Sequence, residues 1–175
     1  MNKAEAIRVI DEKQALLDDV NDSIWEYAET AFQEFKSMDK LCEALEQEGF
    51  KVEKGVGDIP TAFTGTYGHG KPVIGLLGEF DALSGLSQVG GCPEKKAACP
   101  VKDELSPGAY GHGCGHNCLG TASLAAAIAV KNYLEHNPQV SGTVIYFGCP
   151  GEEGGSGKAF MAREGVFKDL DAAIT

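Results

Sequence analysis

The sequence has 175 residues, of which 43% are hydrophobic and 23% charged, as is usual for a globular protein with a single core. Its formal net charge of -11 disfavours nucleic acid and anionic membrane surfaces as partners. No unbroken apolar run is long enough for a secretion signal or a membrane span, and the six cysteines are dispersed. We therefore expect a soluble cytoplasmic protein with free thiols.

The predicted elements begin with two amphipathic helices, over residues 3–29 and 38–48, where apolar side chains recur at helical spacing. Three short strands rich in β-branched and aromatic residues follow, within residues 50–57, 61–67 and 72–80. Turn-forming clusters separate these strands, and we expect the last two strands to pair as a hairpin.

The second half of the chain alternates loops, helices and strands. Residues 84–110 lack a sustained period and predict a long surface excursion. An Ala-rich helix is expected from Cys118 to Glu135, with Asn117 as its N-cap. The apolar stretch "GTVIYFGCP" predicts a strand buried on both faces. A short helix ending at Gly165 and the beginning of another strand follow, so the sequence predicts an α/β fold with a mixed β-sheet flanked by helices.

Polar segments stand where functional sites form in folds of this class, in loops beyond the carboxyl ends of strands. The segments are "GEFDAL", "GHGCGHN" and "PGEEGG". The candidate metal ligands that they offer are Glu79, Asp81, His112, Cys114, His116, Glu152 and Glu153. A thiolate, imidazoles and carboxylates together favour zinc or manganese, and the cysteine favours zinc.

Within "GHGCGHN", the glycines on either side of Cys114 let the backbone turn tightly, so that Cys114 and His116 can aim at one point. We expect the N-terminus of the following helix to lower the pKa of Cys114 and to favour the thiolate that a metal requires. The alternative interpretation is a buried cysteine with two capping histidines. His69 and His136 lie in a predicted turn and at a helix end, and are expected to be exposed.

Glu152 and Glu153 follow an apolar strand and precede small residues, a poor place for charge unless a cation or substrate compensates it. One carboxylate can bind a metal while the other takes a proton from water, although a solvated turn is the simpler alternative. Asp81 stands at the end of a predicted strand, where it can accept the second ring proton of a ligating histidine or cap a turn.

The blocks "LLGEFDALSGLSQ", "GHGCGHN" and "YFGCPGEEGGSGKAFMAREGVF" resemble the dinuclear metal aminoacylases and carboxypeptidases, in the amidohydrolase branch that has a Cys-Gly-His metal motif. The resemblance implies that Cys114, His116 and Glu153 are metal ligands. It implies that Glu152 is the general base and that Asp81 orients a ligand. The complete enzyme is expected to hold two divalent metal ions, zinc or manganese.

The reaction that this resemblance implies is hydrolysis of the amide bond of a small N-acyl amino acid, with aminobenzoyl-glutamate-like compounds as the expected substrates. Residues 1–175 are expected to form the N-terminal part of a zinc-peptidase-like metallohydrolase catalytic domain. Further ligand histidines and a smaller dimerisation domain are expected outside it, in a homodimer or in a pair with a related subunit. The 175 residues alone are expected to bind metal weakly or not at all and to be inactive.

Two other functions remain open at the level of sequence. The first is a thiol hydrolase with Cys114 as the nucleophile and His112 or His116 as its base. The second is a non-catalytic chain that binds a partner through an exposed apolar edge of its sheet.

Overall fold

The computed structural model describes residues 3–87, 89, 91, 92, 96 and 110–175, so most of the predicted surface excursion lies outside the described residues. The helices are α1 (Lys3–Glu12), α2 (Gln14–Tyr27), α3 (Phe35–Gln47), α4 (His116–His136), the single turn α5 (Glu152–Gly155) and α6 (Gly157–Arg163). The strands are β1 (Lys51–Lys54), β2 (Phe63–His69), β3 (Val73–Glu79), β4 (Gly142–Cys149) and β5 (Ala172–Ile174), with a 3-10 turn at Val56–Asp58. Within the described ranges, no helix combines the length and the apolar character that crossing a membrane requires.

The five strands form one mixed sheet in the order β1-β2-β4-β3-β5. β2 is antiparallel to both β1 and β4, whereas β3 is parallel to both β4 and β5. The predicted α/β fold with a mixed sheet is confirmed. The predicted hairpin between the second and third strands is wrong, because β4 lies between β2 and β3. A parallel pair needs a crossover connection, and α4 supplies it between β3 and β4.

Apolar side chains cover both faces of the sheet, because successive residues of a strand point to opposite sides. Leu76 and Tyr146 pack into the core formed with helices α1 to α4. Their neighbours Leu77 and Phe147 pack on the opposite face, together with Met161 of α6. β4 is therefore buried on both faces, as its uninterrupted apolar sequence predicts.

The N-terminal helices differ from the prediction at their ends. The single helix expected over residues 3–29 is divided at Lys13, whose ammonium donates to Glu48 Oε1 at 2.6 Å. α3 begins three residues before the predicted start at residue 38. The Glu29 carboxylate accepts the backbone N–H groups of Lys36 and Ser37 at 3.1 and 2.9 Å, which satisfies donors that a helix N-terminus leaves free.

α4 begins earlier than predicted, and its cap is a different residue. Gly115 occupies the N-cap position with a φ of 84°, a left-handed conformation that glycine adopts without strain. Asn117, the predicted cap, instead lies inside the first turn, where its side-chain amide donates to Asn21 Oδ1 at 3.0 Å. His116 thereby becomes the first helical residue, and it is buried.

Candidate metal centre

The three polar segments meet at one edge of the sheet, where β3 and β4 end side by side. The parallel register pairs Glu79, the last residue of β3, with Cys149, the last residue of β4. Asp81 comes just after β3, and Glu152 and Glu153 come just after β4, so the three residues lie at the same end of the sheet. The start of α4 brings His116 to the same place. This position, beyond the carboxyl ends of parallel strands, is the one that the sequence predicted.

Two sets of possible ligand atoms converge there. The Cys114 Sγ, a ring nitrogen of His116 and a carboxylate oxygen of Glu153 all lie within 4.8 Å of one another. Glu79, His116 and Glu152 form a second set within the same limit. His116 belongs to both sets and is only 3% exposed. Residues far apart in the sequence therefore gather around one buried imidazole.

Both ring nitrogens of His116 face carboxylates. Nδ1–H donates to Asp81 Oδ1 at 2.9 Å, and Nε2 lies 3.2 Å from Glu79 Oε2. The hydrogen bond to Asp81 raises the pKa of His116, although burial opposes this. Burial alone would raise the pKa of Asp81, but the hydrogen bonds from His116 and from the Glu153 amide outweigh it and lower that pKa. Each side chain thus favours the charged form of the other.

Asp81 also contacts the loop that follows β4. Its Oδ2 accepts the backbone N–H of Glu153 at 2.8 Å, while Oδ1 holds His116. One buried carboxylate thus fixes both the ring and the turn that carries the two glutamates. The sequence suggested the contact with a histidine, but it gave no signal for the contact with Glu153.

The thiol of Cys114 is exposed and lies beside acidic groups. A hydrogen bond to Glu153, some burial and the nearby charge of Glu152 raise the pKa of Cys114. The expectation that the helix N-terminus lowers this pKa is therefore wrong. The carboxylates lie closer to the Cys114 thiol than most peptide dipoles of the helix do, and their negative charge disfavours the thiolate.

Lys158, on α6, is a site residue that sequence reasoning missed. Its ammonium forms an ion pair with Glu79 Oε1, and burial lowers its pKa. The pair places a cation at one oxygen of the Glu79 carboxylate, while the other oxygen faces His116. A single lysine in a glycine-rich segment gives no pattern from which this contact could be predicted.

The remaining histidines contribute less. His112 Nε2–H donates to the backbone oxygen of Ile24 at 2.9 Å, which ties the loop before α4 to α2. Its ring is half-buried, and burial lowers its pKa. His69 and His136 are exposed, as predicted. None of these three belongs to the ligand sets found among the described residues.

The donor set fits a divalent cation. Glu79, Asp81, Glu152 and Glu153 bring more negative charge than Lys158 and a protonated His116 balance. Tetrahedral zinc, with bonds of about 2.0–2.3 Å, needs its ligand atoms roughly 3.3–3.8 Å apart. Separations within 4.8 Å approach this geometry after modest side-chain rotation. Sulfur, nitrogen and oxygen donors together suit zinc better than magnesium or calcium.

The chain belongs to Peptidase family M20/M25/M40, whose sequence profile matches residues 75–175. It is 58% identical over 157 residues to one subunit of the p-aminobenzoyl-glutamate hydrolase of Escherichia coli (strain K12), covering 90% of this chain and 31% of that relative. The chain therefore spans about a third of the length of this curated relative. The similarity expected from the sequence blocks is confirmed.

Two crystal structures share the fold. One is a dinuclear metal binding peptidase of the M20 family from Bacillus subtilis, with a TM-score of 0.67 and 22% identity over 91% of this chain and 42% of that one. The other is an aminobenzoyl-glutamate utilization protein from Klebsiella pneumoniae, with a TM-score of 0.61 and 13% identity over 97% of this chain and 45% of that one. Both likenesses support the α/β architecture described above.

The Asp81–His116 pair is expected to stabilise the fold only within a limited pH range. We expect Asp81→Asn to lower the free energy of unfolding by about 2 kcal/mol, the size of a hydrogen bond between charged groups. The full decrease in unfolding free energy is expected at pH values between the ordinary pKa values of aspartate and histidine, about 3.9 and 6.5. It should shrink as the pH falls through the lowered pKa of Asp81, and also as the pH rises through the raised pKa of His116.

Urea unfolding of the chelator-treated chain across this pH range measures the effect. Asp39→Asn is the matched control, because Asp39 pairs with Lys54 at the surface, with its side chain 63% exposed. A loss for Asp81→Asn that does not depend on pH, or one that the control reproduces, would contradict the charged pair.

Proposed function

We propose that this M20/M25/M40 family chain carries part of the centre of a metal-dependent amidohydrolase. Cys114, His116 and Glu153 are its metal ligands, and Glu152 is its general base. The observation that carries the proposal is the approach of the Cys114 sulfur, a His116 nitrogen and a Glu153 oxygen to within 4.8 Å of one another, with Glu152 beside them.

The complete enzyme is proposed to use two divalent metal ions, zinc or manganese. A related Bacillus subtilis peptidase is described as dinuclear, which supports this number. A bound divalent metal supplies Lewis acidity that lowers the pKa of water and polarises a substrate carbonyl. The contribution of this chain is to hold the ligands in place. Asp81 fixes the ring of His116 through Nδ1, so that Nε2 is the nitrogen left to bind a metal.

The two adjacent glutamates have different surroundings, and this supports their different roles. The backbone of Glu153 is held by Asp81, and its carboxylate accepts a hydrogen bond from the Cys114 thiol. Glu152 is more accessible, with its side chain 43% exposed and Oε2 3.7 Å from His116 Nε2. A carboxylate that can reach both solvent and the ligand cluster is suited to take a proton from water and to return it to the leaving amine.

The substrate is proposed to be a small N-acyl amino acid, of the aminobenzoyl-glutamate type. The support is the name of the Escherichia coli relative, a p-aminobenzoyl-glutamate hydrolase that shares 58% of aligned residues with this chain. Residues 1–175 are proposed to be the N-terminal part of the catalytic domain, and the 31% of that relative that they span supports a partial domain. Its designation as a subunit supports pairing with a related chain or with a second copy.

A reducing compartment such as the cytoplasm suits this chemistry. Free thiols are carried by Cys42, Cys114, Cys118 and Cys149. A ligand thiol must remain unoxidised to bind a metal, so a reducing environment supports the proposed role of Cys114.

The thiol hydrolase is the weaker function for this geometry. A nucleophilic cysteine needs a lowered pKa and a neighbouring base that accepts its proton. The pKa of Cys114 is raised, and the hydrogen-bond partner of its thiol is Glu153. His116 is already held on both sides by Asp81 and Glu79. A metal ion would relieve the crowding of negative charge that now disfavours the thiolate.

Removal of the proposed sulfur ligand should weaken metal binding selectively. We expect Cys114→Ala to lower the affinity of the 175-residue chain for zinc by about tenfold or more, because a ligand is lost. Competition with a chromophoric chelator measures this affinity, even if it is modest with three protein ligands. The matched control is Cys118→Ala, since Cys118 is an exposed cysteine in the first turn of α4. Equal zinc affinity for the Cys114→Ala and Cys118→Ala variants would contradict the assignment.

Removal of the proposed base should affect catalysis and leave metal binding intact. In the complete enzyme that includes this chain, we expect Glu152→Gln to reduce hydrolysis of p-aminobenzoyl-glutamate by about 10²–10⁴-fold. Zinc affinity should stay within about twofold, because Glu152 is not one of the proposed ligands. Chelator treatment of the unaltered enzyme should abolish activity, and zinc or manganese should restore it. Activity that survives the chelator but not alkylation, in a Cys118→Ala background, would indicate the thiol hydrolase instead.

A further inference from the structure

The segment between α2 and α3, residues 29–34, is hydrogen-bonded to residues that adjoin the candidate metal centre. The backbone oxygen of Glu29 accepts the N–H of Ala82 at 2.8 Å, and Thr30 forms a parallel bridge with the same residue. Ala82 immediately follows Asp81. The segment therefore fixes the backbone next to Asp81, whose carboxylate orients His116.

Glu34, at the end of this segment, is a completely buried carboxyl group. Its exposed fraction is 0%, and its Oε1 accepts the backbone N–H of Gly151 at 2.8 Å. Burial raises the pKa of Glu34, while the backbone amides of Glu34, Gly151 and Phe32 oppose this change. Glutamate is rarely buried to this extent without a specific partner. The partner here is the residue that immediately precedes Glu152.

Phe32, from the same segment, packs against the glycines around the glutamate pair. A Cβ added to Gly151 or Gly155 would lie 2.8 or 2.7 Å from its ring, and one added to Gly157 would lie 3.6 Å from it. The ring thus occupies the space that side chains at these positions would need. Gly151 also has a φ of 62°, which favours glycine. The turn of Glu152 and Glu153 therefore rests on Phe32 on one side and is hydrogen-bonded by Glu34.

We infer that Glu34 is a positioning residue for the proposed metal centre, acting through the Gly151 amide on the turn that carries Glu152 and Glu153. The inference rests on the proposed function. Glu34 touches neither metal nor substrate; it fixes the backbone from which the base and a ligand project. Asp81 holds the same turn from the other side, through the Glu153 amide. The two buried carboxylates together define the position of the glutamate pair.

A general packing role does not account for a carboxyl group at this place. An apolar side chain of similar volume would fill the same space without the cost of burying a polar group. The carboxyl adds an acceptor for one specific amide, which an apolar side chain lacks. Loss of this acceptor should therefore disturb the turn more than the rest of the fold.

Amide hydrogen exchange of the metal-free chain tests the inference directly. We expect Glu34→Ala to speed exchange at Gly151 and Glu153 by about tenfold beyond any change in β4, because the local hydrogen bond is lost. Glu34→Gln keeps an acceptor oxygen and should restore most of the protection. Leu45→Ala is the control for general destabilisation, since Leu45 is fully buried in the core on the other face of the sheet. It should change exchange at Gly151 and in β4 equally.

The same exchange at Gly151 and Glu153 in Glu34→Ala as in Leu45→Ala would overturn the inference, as would a failure of Glu34→Gln to restore protection. If Glu34→Ala does not fold, Glu34→Met takes its place, because it fills a similar volume without the carboxylate acceptor, and faster exchange is again expected at Gly151. Zinc titration adds a second readout, with affinity expected to fall about tenfold in Glu34→Ala and to be unchanged in Leu45→Ala. If none of these chains binds zinc, titration of the complete enzyme that includes this chain decides the proposed function, and absence of binding there would contradict it. The exchange result decides the role of Glu34 in either case.

Discussion

The parallel pairing of β3 with β4 is the constraint on which the rest of the site depends. Because Glu79 lies opposite Cys149, the two strands end at the same level, and the polar residues that follow each strand meet. The crossover through α4 returns the chain to this edge, with His116 at the start of the helix. A pairing shifted by one residue would turn the side chains of one strand to the opposite face and separate these groups. The chemistry of the site is thus a consequence of strand register.

Buried carboxylates then convert this rough proximity into a defined arrangement. Asp81 joins the His116 ring to the Glu153 amide, and Glu34 joins the segment before α3 to Gly151. Each of these contacts costs the desolvation of a carboxylate, which only a hydrogen bond or a neighbouring charge can offset. Negative charge that exceeds the available positive charge is unfavourable in a closed core. At the edge of a sheet, the same excess of negative charge attracts a cation, and Lys158 neutralises only part of it.

The sequence predicted what depends on local pattern and missed what depends on distant contacts. An uninterrupted apolar stretch predicts the doubly buried β4, and a run of Ala-rich helix formers predicts α4. The order of strands was not predicted, because insertion of β4 between β2 and β3 leaves no local signal. Glu34 and Gly151 are 117 positions apart, and Lys158 meets Glu79 from another helix, so neither contact could be predicted. The pKa of Cys114 was predicted in the wrong direction because the helix N-terminus was visible in the sequence, whereas the closeness of Glu153 was not.

The central claim is that Cys114, His116 and Glu153 bind a common divalent metal ion. X-ray absorption spectroscopy of the zinc-loaded chain tests it most directly. The account predicts one sulfur neighbour at about 2.3 Å, with nitrogen and oxygen neighbours at about 2.0–2.2 Å. The sulfur signal should disappear in Cys114→Ala and persist in Cys118→Ala. A zinc environment made only of nitrogen and oxygen in the unaltered chain, or a sulfur signal that survives Cys114→Ala, would contradict the claim.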